Sequence, residues 1–122
     1  AGVGALIFPS NRVRIFVASR PVDFRKGHDG LAAVVQHELR KDPFTGTVFV
    51  FRSKRADRAK ILFWDGSGLV LIYKRLEAHK FAWPPIRDGV MKLGYAQFEA
   101  LFEGLDWRRV YAATPRPPVT TG

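Results

Sequence analysis

The sequence has 122 residues, of which 47% are hydrophobic and 25% charged, the balance of one soluble globular domain. Twenty lysines and arginines against 11 aspartates and glutamates give a net charge of +9, so polyanions, nucleic acid above all, are the expected partners. Cysteine is absent, which excludes disulfides, thiolate catalysis and zinc sites with cysteine ligands.

The ends of the sequence differ in character from its middle. Residues 1–10 are predicted to form a loose leader without the features of a secretory signal, and residues 111–122, rich in Pro and Thr, a disordered tail. Residues 11–110 are then a single globular domain. No run approaches the ~20 apolar residues that cross a membrane, so we expect a cytoplasmic protein, associated with the nucleoid when bound to DNA.

The first elements are a strand and a helix. Residues 12–17 alternate between arginine and apolar side chains, which predicts a half-exposed strand. An irregular, charged stretch follows from Pro21 to Gly30. Apolar residues at helical spacing then predict a helix capped by Asp29 and running to about Arg40.

The middle of the chain contains three strand-like runs, at 47–51, 59–64 and 69–73. The links between them are short, and the second, at 65–68, contains two glycines suited to a hairpin turn. Because parallel neighbours need long crossovers, these links favour an antiparallel meander.

The last third begins with an extended stretch at 80–83 that two prolines terminate. Residues 89–93 resemble a further strand, and apolar residues at helical spacing from Tyr95 to Leu105 predict a second helix. The predicted fold class is α+β: a single antiparallel β-sheet, a meander of about five strands, whose apolar face is covered by two α-helices.

Cations are densest around the first of the predicted hairpins. Antiparallel pairing brings the end of the run at 69–73 close to the start of the run at 59–64, which makes one patch of two segments. The candidate nucleic-acid-binding residues are Arg52, Lys54, Arg55, Arg58, Lys60, Lys74 and Arg75. The alternative is a solvated loop beside an edge strand that lysine protects from other strands.

Two further features have both a functional and a structural interpretation. Trp83 is a candidate for base stacking, although core packing explains its presence equally well. The glycine-bearing loop with Asp23, Arg25, Lys26 and Asp29 is a candidate partner-binding loop. The alternative is that these charges only hold the loop in place before the helix.

No constellation for catalysis is apparent. The histidines lack metal-ligand spacing, and a phosphate-binding loop, a dinucleotide fingerprint and a Ser/His/Asp arrangement are missing. We therefore expect no enzyme, no cofactor, no metal and no small-molecule substrate. A metal-dependent nuclease using Asp23, Asp29 or Asp65 is the weak alternative.

Several runs together resemble one family of bacterial mobile-element proteins. Asp23-Phe-Arg-Lys-Gly-His-Asp-Gly-Leu31 is similar to its first motif, with Phe24 where Met is more usual. Later runs, at 48–55, 60–69, 73–77, 81–84 and 102–107, look like its following blocks in the same order. The sequence thus resembles the TnpB-type, Orf2-like accessory proteins of the sixty-six class of insertion sequences.

This resemblance implies a process and leaves the mechanism open. Such elements encode a separate, larger protein that resembles a transposase, and the accessory protein is thought necessary for transposition. Two mechanisms follow: binding of DNA through the basic patch, with low sequence specificity, or docking on the transposase through the loop at 23–30. Both can hold in one protein.

Overall fold

The computed structural model describes residues 12–87 and 89–110, so the predicted leader and tail lie outside the described residues. Its strands are β1 (Ile15–Ala18), β2 (Val48–Arg52), β3 (Arg58–Trp64), β4 (Leu69–Arg75) and β5 (Val90–Leu93), and its helices are α1 (His28–His37) and α2 (Tyr95–Phe102), followed by a 3₁₀ turn at Trp107–Arg109. The α+β class is confirmed. No helix in this part of the chain is long and apolar enough to cross a membrane.

The five strands form one mixed sheet in the order β4-β3-β2-β1-β5. The antiparallel meander of β2, β3 and β4 is confirmed. An entirely antiparallel sheet is wrong, because β1 and β2 are parallel, with Ile15 beside Val48. The connection between these two strands contains α1 and is long enough for the crossover that a parallel pair requires.

The two helices lie on opposite faces of the sheet. Leu31 and Val35 of α1 pack in one cluster with Phe49 and Leu62, whereas the buried side chains of α2 pack in the other cluster, with Val48, Val50 and Ile61. The expectation that both helices cover one face is therefore wrong. The central strand β2 is buried on both sides, and each face needs its own cover.

The ends of α1 differ from the sequence expectation. Gly27 occupies the position before the helix, without a side-chain cap, and Asp29 lies within the first turn, where a carboxylate suits the helix dipole. Asp29 as the cap is therefore wrong. The helix ends at His37, and Arg40 adopts a positive φ of 57°, which is incompatible with continuing to that residue.

Residues 80–83 are extended but pair with no strand in the described residues. They bury Phe81 and Trp83 in the cluster beneath α2, where the Phe81 ring lies 6.5 Å from that of Phe102. The segment thus extends the cover of this face. The predicted strand at 89–93 is confirmed as β5.

Candidate nucleic-acid interface

The strand topology gathers basic segments at one end of the sheet. β1, β2 and β4 end there, and β3 and β5 begin there. The cations carried by these strand ends and their links are Arg20, Arg52, Lys54, Arg55, Arg58, Arg75, Lys80 and Arg87, and we call this set the basic end. The Ser53–Asp57 loop, which joins β2 to β3, lies in its middle.

Hydrogen bonds hold this loop in a fixed conformation. The Ser53 hydroxyl donates to the carbonyl of Arg55 at 2.7 Å. The carbonyl of Ala56 accepts from the backbone N–H of Phe81 at 2.9 Å and from the indole N–H of Trp83 at 3.0 Å. Lys54 and Arg55 are exposed on this anchored backbone, so ordering the loop on a ligand costs little entropy.

The hairpin register brings the two predicted basic segments together. Arg58 lies opposite Arg75, and Ala59 opposite Lys74. Because side chains alternate between faces along a strand, Lys60 faces the α1 side of the sheet, whereas Lys74 faces the α2 side. The two segments therefore meet as predicted, but their cations do not form one surface.

Lys60 is buried and binds the loop that precedes α1. It is 6% exposed, and its ammonium donates to the carbonyls of Phe24 at 2.7 Å and Lys26 at 2.9 Å. The same nitrogen lies 5.1 Å from the ring centre of Phe24 and 5.2 Å from that of Tyr73. Two carbonyl dipoles and two aromatic faces thus stabilise its charge.

Lys74 is engaged in a similar way on the other face. Its ammonium donates to the carbonyl of Phe102 at 2.6 Å and lies 4.4 Å from that residue's ring centre. Phe102 is the last residue of α2, where backbone carbonyls lack helical partners and a cation complements the dipole. Lys74 therefore caps a helix.

Arg52 and Trp83 pack on each other. The half-buried guanidinium of Arg52 lies 5.6 Å from the Trp83 ring centre, and burial lowers the pKa of Arg52. Trp83 itself is 9% exposed and also packs on Phe81 at 5.4 Å. This packing leaves little of the indole open to a base.

The remaining cations of the predicted patch are more accessible. Arg58, which is partly exposed, donates to the hydroxyl of Tyr73 at 3.1 Å and lies 3.8 Å from Asp57. Arg75 is exposed and pairs with Glu77 at 3.2 Å. An exposed pair such as Arg75–Glu77 contributes little energy and exchanges readily for contacts with phosphate, whereas the Arg58 Nε and Asp57 Oδ1 atoms are buried.

A cleft of about 870 Å³ separates the Ser53–Asp57 loop from the segment after β4. Lys54 and Arg55 line one side, and His79 and Lys80 line the other. The patch predicted from the sequence does not include Lys80, Arg20 or Arg87. The position of Arg20 directly after β1 could have indicated its place, because segments that follow parallel strands meet at one edge of the sheet.

The candidate partner-binding loop contains a local ion pair. Asp23 accepts the backbone N–H of Arg25 at 2.9 Å, and the carboxylate binds the Arg25 guanidinium at 2.7 Å. These hydrogen bonds and the charge of Arg25 lower the pKa of Asp23 to about 2. Lys26 and Asp29 are exposed nearby, and the Arg25 side chain is 92% exposed.

The carboxylates considered for catalysis are dispersed. Within residues 12–87 and 89–110, no group of three or more His, Asp or Glu side chains is arranged to hold a metal ion. Asp65 accepts the backbone N–H groups of Ser67 and Gly68, both at 2.9 Å. These bonds lower the pKa of Asp65 and hold the β3–β4 turn.

Comparison with known proteins identifies relatives over most of the chain. The model of a family described as IS66 Orf2 like protein matches residues 13–112. The Sinorhizobium fredii protein y4jC is 50% identical over 105 residues, covering 86% of this chain and 90% of its own length. A second protein of that organism, y4hO, is 37% identical over 103 residues, with 84% and 90% covered. Both carry the description uncharacterized protein, and no solved structure matches.

Proposed function

The chain belongs to the family of IS66 Orf2-like proteins, and we propose that it serves transposition by binding DNA through its basic end. The family is an accessory protein family of insertion sequences and is not a known class of enzyme, which points to an accessory role in transposition. We assign no catalytic step to this chain. The DNA contacts in the proposal are to phosphates, since the sequence carries no helix-turn-helix, zinc-finger or Gly-aromatic signature for reading bases.

The observation that carries the proposal is the anchored Ser53–Asp57 loop. It presents Lys54 and Arg55 to solvent at the end of the sheet where cations predominate. Arg75 lies on the next hairpin arm, and Lys80 lies across the cleft. Long cationic side chains on a fixed backbone suit phosphate contacts and lose little freedom on binding.

The other candidate residues have supporting roles in this proposal. Lys60 and Lys74 direct their ammonium groups to backbone carbonyls, and they position the loop before α1 and the end of α2. Arg52 covers Trp83, and Arg58 lies beside Tyr73. The set proposed to contact phosphates directly is therefore Lys54, Arg55, Arg75 and Lys80.

A salt series of DNA-binding measurements tests this assignment. Four phosphate contacts predict a slope of log affinity against log salt of about −3.6 on duplex DNA. Replacing both Lys54 and Arg55 by alanine should reduce the slope to about −1.8. Element-end, random-duplex and single-stranded probes show which form of DNA is preferred.

The matched control replaces Arg12 and Arg14 by alanine. These exposed cations precede β1, at the opposite end of the sheet, and their removal changes the net charge by the same amount. The control variant should keep the slope of the wild type. Equal slopes for the two double variants, or a wild type without DNA affinity at low salt, would contradict the proposal.

Docking on the element's transposase is the second candidate function. It is favoured by the loop at 23–27, whose backbone Lys60 holds to the sheet while Arg25 and Lys26 stay exposed. Such a preorganised basic loop suits a carboxylate-bearing partner surface. Co-purification of the two proteins should weaken when both residues become alanine. Undiminished co-purification would exclude this loop as the docking site.

A further inference from the structure

A cavity of about 330 Å³ opens beside the start of β5, next to the cluster that α2 covers. Four apolar residues form most of its walls: Pro84, Val90, Met91 and Trp107. Two exposed arginines, Arg87 and Arg108, lie at its rim. The cavity thus combines an apolar interior with a cationic entrance, and neither arginine is among the residues proposed to contact DNA phosphates.

Hydrogen bonds fix the walls of this cavity. The hydroxyl of Ser19, a residue only 4% exposed, accepts the backbone N–H of Arg87 at 2.9 Å and donates to the carbonyl of the same residue. The indole N–H of Trp107 donates to the carbonyl of Ala82. The ring of Pro84 restricts the backbone between these two anchors. The cavity is therefore formed in advance, and a ligand has little of it to order.

The polar groups of the walls favour an apolar ligand over a nucleic-acid base. The Ser19 hydroxyl and the Trp107 indole N–H are both engaged with backbone, so neither is free to pair with the polar edge of a base. Burying such an edge without partners is costly, whereas an apolar side chain needs none. The guanidinium of Arg108 also lies 5.9 Å from the Trp107 ring centre, where it competes with a stacking base.

We propose that this cavity binds a bulky apolar side chain of an acidic peptide segment from a second protein, whose carboxylates pair with Arg87 and Arg108. The volume lies at the lower end of the range for ligand pockets and suits a single such side chain. Asp106 accepts from the Nε of Arg108, which leaves the two terminal nitrogens for a carboxylate of the partner. A second copy of this chain is a poor occupant, since each copy has a net charge of +9.

This site is separate from both candidate functions given above. None of the four residues proposed to contact phosphates lines the cavity, and neither does the loop at 23–27. Peptide binding here and the salt slope of DNA binding therefore fail or succeed independently.

The test uses the full chain with an isotope label at the methyl group of Met91, the only methionine of the sequence and part of the cavity wall. We expect a saturable shift of its NMR resonance on titration with a capped peptide that carries one phenylalanine between two pairs of glutamates. Replacing the phenylalanine by alanine keeps the charge, and hence any general attraction to a basic surface, but should weaken binding roughly 10- to 150-fold. A peptide with lysines in place of the glutamates should not bind.

Substitutions at the rim test the role of the arginines. Arg87→Gln and Arg108→Gln should each weaken peptide binding by roughly 2- to 5-fold, as expected for exposed ion pairs. Arg109→Gln is the matched control and should leave binding unchanged, because Arg109 is an exposed neighbour of the same charge that does not line the cavity.

Three results would overturn the proposal. They are the lack of a saturable Met91 shift, equal affinity for the phenylalanine and alanine peptides, and equal effects of the three arginine substitutions. A single-stranded oligothymidylate is the remaining probe. If it shifts the Met91 resonance and displaces the peptide, the cavity belongs to nucleic acid and the proposal is wrong.

Discussion

Lys60 and Phe24, 36 residues apart in the sequence, are joined by a hydrogen bond of 2.7 Å between the lysine ammonium and the phenylalanine carbonyl. The Phe24 ring also packs edge-on against Tyr73 at 5.6 Å, so loop and sheet enclose the charge. A buried lysine without a carboxylate partner is uncommon, and its amine here serves as a fixed donor to backbone. The lysine therefore determines where the loop before α1 lies.

The first prediction concerns this interaction. Lys60→Met keeps the length of the side chain and removes the donor, which leaves the carbonyls of Phe24 and Lys26 without it. We expect the free energy of unfolding to fall by about 1–3 kcal/mol. Chemical denaturation measures this change.

Lys54→Met is the control for loss of a lysine. Its side chain is exposed, so its substitution should change the stability by no more than about 0.5 kcal/mol. Hydrogen exchange should in addition show faster exchange in residues 22–28 of Lys60→Met alone. Equal stability of the two variants would mean that the lysine contact does not hold the loop.

The meander of β2, β3 and β4 could be predicted because its evidence is local. The turn residues Asp65 and Gly66 lie between apolar runs, and short links allow only antiparallel neighbours. The same register brought Arg58 and Arg75 together in the prediction and in the structure. Spacing alone carries this information.

The facing of individual side chains could not be predicted, because it depends on what covers each face. Lys60 lies two residues before Leu62 on the same strand, so its side chain points to the same face of the sheet, the α1 face. The neighbouring sequence does not show that the carbonyls of residues 24 and 26 accept hydrogen bonds from it there. The parallel pairing of β1 with β2 likewise depends on the path of a long connection. Arg20 and Arg87 join the basic end only through that topology.

The second prediction concerns the pKa of Asp23. Arg25 lowers it to about 2 through hydrogen bonds and charge, so the Arg25→Ala variant should raise it towards the ordinary value of 3.8. The pKa of Asp23 is lower in the folded protein than in the unfolded chain. The ion pair therefore stabilises the protein above pH 3.8 and ceases to do so as the pH falls through about 2. NMR titration of the Asp23 carboxyl carbon measures this pKa in the wild type and in the Arg25→Ala variant.

Asp106 is the internal control for this titration. Its pKa is also lowered, chiefly by the backbone N–H of Arg108, and this contact lies on a different segment. The Arg25→Ala variant should leave the titration of Asp106 unchanged. If Asp23 titrates identically in the wild type and in the Arg25→Ala variant, Arg25 does not hold the carboxylate in solution.

The third prediction separates base stacking from core packing at Trp83. If the indole stacked on a base, Trp83→Leu would weaken DNA binding by about 1–3 kcal/mol, roughly 5- to 150-fold. Burial of the ring and its hydrogen bond to Ala56 favour a structural role instead. We therefore expect Trp83→Leu to lower the free energy of unfolding by about 2–4 kcal/mol and to leave the DNA affinity of the folded protein unchanged.

Trp107→Leu is the matched control for this variant. Trp107 is buried in the same cluster and donates its indole N–H to the carbonyl of Ala82, and its ring lies 5.9 Å from Arg108, which is not among the four residues proposed to contact phosphates. Both variants should lose stability, and both should retain the salt slope of the wild type. A selective loss of affinity in Trp83→Leu, at a temperature where both variants are folded, would assign the indole to DNA and would require Arg52 to move off the ring when DNA binds.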